Sequence, residues 1–273
     1  MEAQWSLVLF TVISGVGAWL FASSMIQALA RRGAMPSKVE TVVAIVLLIV
    51  GGIASATHLK HVERIFEALN HPTSGIFVEA ALIGILVVLM AIYLVMLVRK
   101  TGDASLKAVG VVTMIVAVIF PFMCGYSYMM EARQAWMTIA LPLAYWATPA
   151  AAGAGLSVVL KARAGAGAQE ISFAGVLTAV LGVIGIACSA AFFVYASGWM
   201  DAALAGTVAW IAATFATGIL SAACGLAIWK KPEQAVAGGV AALVLGAVCA
   251  TAMRVGMWMI GTPVLDFFLQ PLD

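Results

Sequence analysis

An all-α integral membrane protein is predicted, with eight transmembrane helices in two four-helix halves, short loops and both termini outside the cytoplasm. Three observations predict it. Hydrophobic residues make up 64 % of the 273 residues and charged residues only 10 %, against about 25 % charged in a soluble domain. Apolar runs of bilayer-spanning length, about 20 residues, recur eight times. Lys and Arg gather in alternate loops. Mean hydropathy is +1.11. So few charges cannot cover a water-facing surface, which excludes a soluble catalytic domain, disorder, coiled coil and nucleic-acid binding. A net charge of +2 is too small to imply an anionic partner.

The spans fall at roughly 5–30, 38–58, 76–98, 106–128, 136–160, 171–196, 205–229 and 235–260. They read as one membrane domain over 1–273, with helices 1–4 in 1–131 and helices 5–8 in 132–273. The opening Met1-Glu2-Ala3-Gln4-Trp5 lacks the basic region of a cleaved signal peptide. The first span is therefore expected to stay, with its N-terminus translocated. Ser37-Lys38-Val39-Glu40 is a capping box for the second span, and Pro36 breaks the chain before it. Asp103 is expected to cap the fourth span, and Pro232 suits the first turn of the eighth. Pro121, Pro142 and Pro149 lie in apolar runs and predict kinks. Small residues predict close helix contacts: Gly51, Gly52 and Ala56 in the second span, Gly182 and Gly185 in the sixth, Gly238, Gly239 and Gly246 in the eighth.

Orientation follows from basic residues in short loops. Arg31, Arg32, Lys38, Arg99, Lys100, Lys107, Lys161, Arg163, Lys230 and Lys231 are ten of the 14 and share one side. Lys60, Arg64, Arg133 and Arg254 take the other. The excess marks the cytoplasmic side, which puts both termini outside.

The middles of the spans carry no Asp, Glu, Lys, Arg or His. That argues against a proton pump or ion-coupled carrier, which hold ionisable groups near the midplane. The exceptions lie near the expected outer ends: His58 ends the second span, Glu79 opens the third and Arg254 comes late in the eighth. All three histidines, His58, His61 and His71, lie between positions 58 and 71. Only His58 is on a span, so a bis-histidine haem is not expected. His58 and His61 are close enough to share a metal, but no third ligand is evident. Cys124, Cys188, Cys224 and Cys249 form no cluster of thiolates and read as small buried hydrophobes. Leu59, Val62, Ile65, Phe66 and Leu69 give the 59–75 loop the pattern of a short surface helix. It reads as a connector, a lid over a pocket or a docking surface. Trp5, Tyr126, Tyr128 and Trp136, with Glu131 and Arg133 nearby, fit an interfacial aromatic belt for the most part.

These residues resemble a known family. Gln4-Trp5-Ser6-Leu7-Val8-Leu9-Phe10-Thr11 is similar to the start of the membrane-anchor subunit of anaerobic dimethyl sulfoxide reductase. His58-Leu59, Arg64 six residues on from His58, then Phe66, Leu69 and Asn70, resemble that family's segment after its second helix. Glu79 resembles the acid opening its third helix, and Arg254 with Trp258 its late Arg-plus-aromatic motif. Where the family often reads His-Leu-Gly-x-Pro, this chain reads His58-Leu59-Lys60-His61-Val62, and the loop to Glu79 is about one residue shorter.

The resemblance implies a haem-free anchor that oxidises menaquinol in a prokaryotic cytoplasmic membrane during anaerobic respiration. It implies two partners, an iron–sulfur electron-transfer subunit and a molybdopterin catalytic subunit. Iron–sulfur and molybdenum centres would then belong to those chains, and this one would supply only the quinol half of the oxidoreductase reaction. His58 and Glu79 are the implied catalytic pair, and His58, Arg64, Glu79 and Arg254 the implied quinol-binding set. Oxidation of a quinol releases two electrons and two protons, so a hydroxyl needs an acceptor with a pKa near working pH. A histidine has a reference pKa of about 6.5 and suits that role. Glu79 can pass the proton on or hold the imidazole, and Arg254 can bind a quinone oxygen or pair with Glu79. An anchor for another terminal substrate, a small transporter and an inert anchor are the alternatives that the residues leave open.

Overall fold

A computed structural model of the chain describes residues 3–57, 74–200 and 205–261. Within them the fold is all-α: α1 (Trp5–Leu29), α2 (Lys38–Ala56), α3 (Gly75–Val98), α4 (Asp103–Tyr126), α5 (Ala140–Ala147), α6 (Ala150–Arg163), α7 (Ala168–Ala196), α8 (Ala205–Lys230) and α9 (Ala235–Ile260). Eight segments are long and apolar enough to cross a membrane, α5 and α6 together forming the fifth.

The termini follow local chemistry. Ser37 Oγ accepts the Glu40 amide at 3.2 Å and Glu40 Oε2 accepts the Ser37 amide at 2.8 Å, the expected capping box. Such a cap contributes about 1 kcal/mol. Asp103 does not cap α4: Gly102 takes that position, and Asp103 is the first helical residue. There its charge still favours the positive helix end. Pro232 begins a 3-10 turn, Pro232–Gln234, that leads into α9.

The three prolines act differently. Pro121 lies within an uninterrupted α4. Pro142 falls in the first turn of α5, where no helical amide is lost. Pro149 coincides with a break, since α5 ends at Ala147 and α6 starts at Ala150. Proline has no N–H, so the carbonyl of Tyr145 four residues earlier loses its helical donor. The neighbouring Trp146 carbonyl accepts the Trp19 indole N–H of α1 at 2.8 Å.

α1 is the most enclosed element with the fifth span, and it packs against α2, α4 and α6. α2 also meets α3, and α3 meets α4. On the other side α6 meets α7 and α9, and α8 meets α7 and α9. Contacts are tight where side chains are small. A Cβ on Gly51 would lie 2.9 Å from Ser14 of α1, so α1 and α2 touch backbone to backbone, as close packing in lipid requires.

One end of the bundle is tied by polar groups. Glu40 is 1 % exposed. Its Oε1 accepts Ser24 Oγ of α1 at 2.6 Å and Ser157 Oγ of α6 at 3.1 Å. Lys161 of α6 donates to Glu170 of α7 at 2.8 Å, and the same carboxylate oxygen accepts the Ala34 amide at 3.0 Å. These bonds tie together four helices, α1, α2, α6 and α7, and the α1–α2 loop at one end of the bundle.

Candidate functional site

At the other end a cavity of about 740 Å³ opens between α1, the end of α2, the start of α3 and the segment after α4. Its walls are mostly apolar: Leu7, Phe10, Ala56, Ile76, Phe77, Ala80 and Ile83 among others. The polar lining is small: Ser55, Ser74, Glu79, Ser127 and Tyr128. Ligand sites commonly combine a volume of about 300–1,000 Å³ with a few convergent polar groups.

Local rules place Glu79. Ser74 caps α3 by accepting the Phe77 amide at 3.3 Å, and the helix begins at Gly75. Glu79 is therefore in the second turn. A Cβ on Gly75 would lie 2.7 Å from Ser127 Cβ. Only glycine lets the start of α3 come this close to the end of α4. That approach brings the Glu79 carboxyl into hydrogen-bonding reach of Ser127. Ser127 Oγ also lies 3.0 Å from the Met123 carbonyl. A hydroxyl has one proton, so Ser127 donates either to that carbonyl or to an ionised Glu79. When it donates to Met123, it can accept from a protonated Glu79. The pair can therefore hold the carboxyl in both protonation states. Gly75→Ala is expected to force α3 away from Ser127 and to disrupt this pair. The check is thermal unfolding of the Gly75→Ala protein, expected to show a loss of about 1–3 kcal/mol, as overpacking of a close contact does.

Arg254 is enclosed and does not line the cavity. Its Nε donates to Thr11 Oγ1 of α1 at 2.7 Å. Nη1 donates to Thr148 Oγ1 at 3.1 Å and to the Ala250 carbonyl at 2.9 Å. Nη2 donates at 3.2 Å to the Tyr145 carbonyl, the one that Pro149 leaves without a donor. The guanidinium lies 4.2 Å from the Tyr145 ring centroid. No ion pair joins Arg254 to Glu79 among the described residues. The pairing that the sequence suggested is replaced by neutral dipoles and a π face. The reason is position: Tyr145 and Tyr128 stand between Arg254 and the cavity, with ring centroids 5.4 Å apart.

His58 and Arg64, the other predicted site residues, lie outside the described residues, as do His61, His71 and the amphipathic pattern of the loop. Of the predicted set, the structure thus brings Glu79 to the cavity and puts Arg254 behind its wall.

Sequence reasoning missed Tyr128 as a site residue. It is 8 % exposed and lines the cavity. Trp136 is fully buried, and its indole donates to the Met257 carbonyl at 3.0 Å. Trp136 and Trp258 pack edge to face at 5.1 Å, and Arg133 lies over Trp136 at 4.4 Å. An aromatic belt describes Trp5 and Tyr126, which are exposed, but not Tyr128 or Trp136. Tyr128 comes just after the end of α4 and Trp136 ends a 3-10 turn, Gln134–Trp136, so no helical periodicity marks either as buried.

Eight membrane-length helices with an apolar, carboxyl-bearing cavity at one end define a multi-pass membrane protein with a site among its helices. The family model of the DMSO reductase anchor subunit (DmsC) matches residues 1–231, and the chain belongs to that family. Membership makes it a membrane anchor of a complex of the DMSO reductase type, associated with catalytic and electron-transfer subunits. The match ends before α9, the helix that carries Arg254. No curated protein matches the chain.

Proposed function

We propose that this anchor oxidises menaquinol in the cavity beside Glu79 and delivers the electrons to an iron–sulfur subunit, which feeds a molybdopterin subunit. The observation that carries the reading is the one carboxyl group among the described lining residues. It lies beside Ser127 in a mostly apolar cavity large enough for a quinol head group. An apolar wall suits a fused ring and isoprenoid tail, and the carboxylate supplies the proton acceptor. Ala56 lines the cavity and His58 follows two residues later in the sequence, which supports His58 as the first proton acceptor. Glu79 receives or relays the second proton. Arg64 is the remaining proposed quinol contact from the family pattern.

Arg254 acts on this reading from behind, as a fixed cation that favours negative charge on the bound quinol. The distribution of basic residues supports an outer location for the cavity and for both termini in a prokaryotic cytoplasmic membrane. The order of the spans along the chain supports two four-helix halves, residues 1–131 and 132–273. On this reading the chain holds no haem, iron–sulfur or molybdenum centre of its own.

The test compares quinol-driven with viologen-driven reduction in the copurified complex, wild type against His58→Leu. Loss of the quinol reaction with dye-driven turnover retained is the expected result. Equal retention of both would remove His58 from the site. Failure of wild type to oxidise any quinol would remove the function itself.

A further inference from the structure

We infer that Tyr128 is a further ligand-contacting residue of the cavity, donating its hydroxyl to an oxygen of the bound quinone or quinol. The inference rests on the quinol reading and deepens it. Tyr128 is more than nine-tenths buried, yet its hydroxyl has no hydrogen-bond partner among the described residues. Buried tyrosine hydroxyls ordinarily find one. Tyr93, also buried, donates to the Pro36 carbonyl at 3.1 Å. Tyr128 differs in lining the cavity with Glu79, where a ligand oxygen can supply the missing acceptor. Tyr145, its enclosed neighbour, does not line the cavity.

The ring is held from three sides. Its centroid lies 5.4 Å from Tyr145, 5.9 Å from Trp258 and 6.1 Å from Trp136. A side chain clamped in this way loses little further freedom when a ligand arrives, which favours a directional contact. Burial raises the phenol far above its ordinary pKa, with Tyr145 and Glu79 adding to the effect and Arg254 opposing it. The group therefore stays a donor throughout the working range. Such a donor favours an oxygen that gains negative charge, as a quinol oxygen does when its proton leaves for Glu79 or His58. Tyr128 itself gives up neither a proton nor an electron.

The ring contacts also connect this donor to Arg254. The guanidinium lies against Tyr145, and Tyr145 lies against Tyr128. Arg254 thus supports the ring stack from behind, and its field reaches the ligand through that pair of rings.

The test uses the purified complex with a naphthoquinone labelled with ¹³C at its carbonyls. In wild type the infrared band of a bound carbonyl is expected to shift down relative to the free quinone. In Tyr128→Phe, which keeps the ring packing, that band moves back, and KM for the corresponding quinol rises about fivefold, the worth of one neutral hydrogen bond. Tyr126→Phe, on an exposed residue, is the control and leaves band and KM unchanged. A wild-type band and KM in Tyr128→Phe would overturn this inference alone. Absence of any bound label in wild type would overturn it together with the quinol reading.

Discussion

Glu79→Gln is expected to lower quinol-dependent turnover by about a hundredfold or more, the usual worth of a positioned general base. The amide fits the same space beside Ser127 and Tyr128 but cannot accept a proton as a carboxylate does. Glutamine can still hydrogen-bond Ser127, so the α3–α4 contact at Gly75 should survive and the complex should assemble. The fall should therefore appear in kcat with little change in KM, because binding is retained and proton acceptance is lost. Glu79→Asp keeps the charge but withdraws it by one methylene and should recover part of the rate. Measuring both variants on one short-tailed quinol separates chemistry from packing. A Glu79→Gln complex with wild-type kcat would remove Glu79 from the proton path.

Arg254→Leu is expected to destabilise the anchor by about 2–4 kcal/mol, the range for breaking a buried polar network. The reason lies in one carbonyl. Thr11 and Thr148 keep other hydrogen bonds, to the Leu7 and Ala144 carbonyls at 3.0 Å and 2.7 Å. The Tyr145 carbonyl has no such reserve, because Pro149 supplies no amide and Arg254 is its donor. Leaving a buried acceptor without a partner costs about 1–3 kcal/mol. Lysine should not rescue the site, since its single ammonium cannot copy the planar fork that reaches Thr11, Thr148 and Tyr145 together. The sharper check is a double-mutant cycle. Pro149→Ala restores an amide at the break, so Arg254→Leu should cost less in that background by about 1 kcal/mol. Thermal unfolding of the detergent-solubilised complex reads all four proteins. Strict additivity would show that the Pro149 break and Arg254 are independent.

Glu79 and Arg254 belong to different layers of one wall. Glu79 and Tyr128 line the cavity, while Arg254 lies against Tyr145 behind that wall. Charge inside a membrane protein is costly and is retained where it acts. Among the described residues the Arg254 cation is held by neutral dipoles rather than paired with a carboxylate, so its field is not cancelled at close range.

The sequence by itself determined the membrane class, the eight spans and the start of α2. These follow from composition, run length and a short capping pattern, all of which are local. It also singled out Glu79, because a carboxyl at the start of an apolar run is conspicuous without any partner in view. Only the tertiary structure decided that Arg254 is bonded to Thr11, Thr148 and Tyr145 rather than to Glu79. Those partners are up to 243 positions away in the chain, and no local pattern encodes such a meeting. The same holds for Tyr128 and Trp136. A water-soluble helix marks its inner face by apolar residues and its outer face by polar ones. In lipid both faces are apolar, so α3 is hydrophobic beyond Glu79 although few of its residues are buried. Which side of each span meets its neighbours is then fixed by close contacts such as Gly51 on Ser14 and Gly75 on Ser127, and these appear only once the helices are packed.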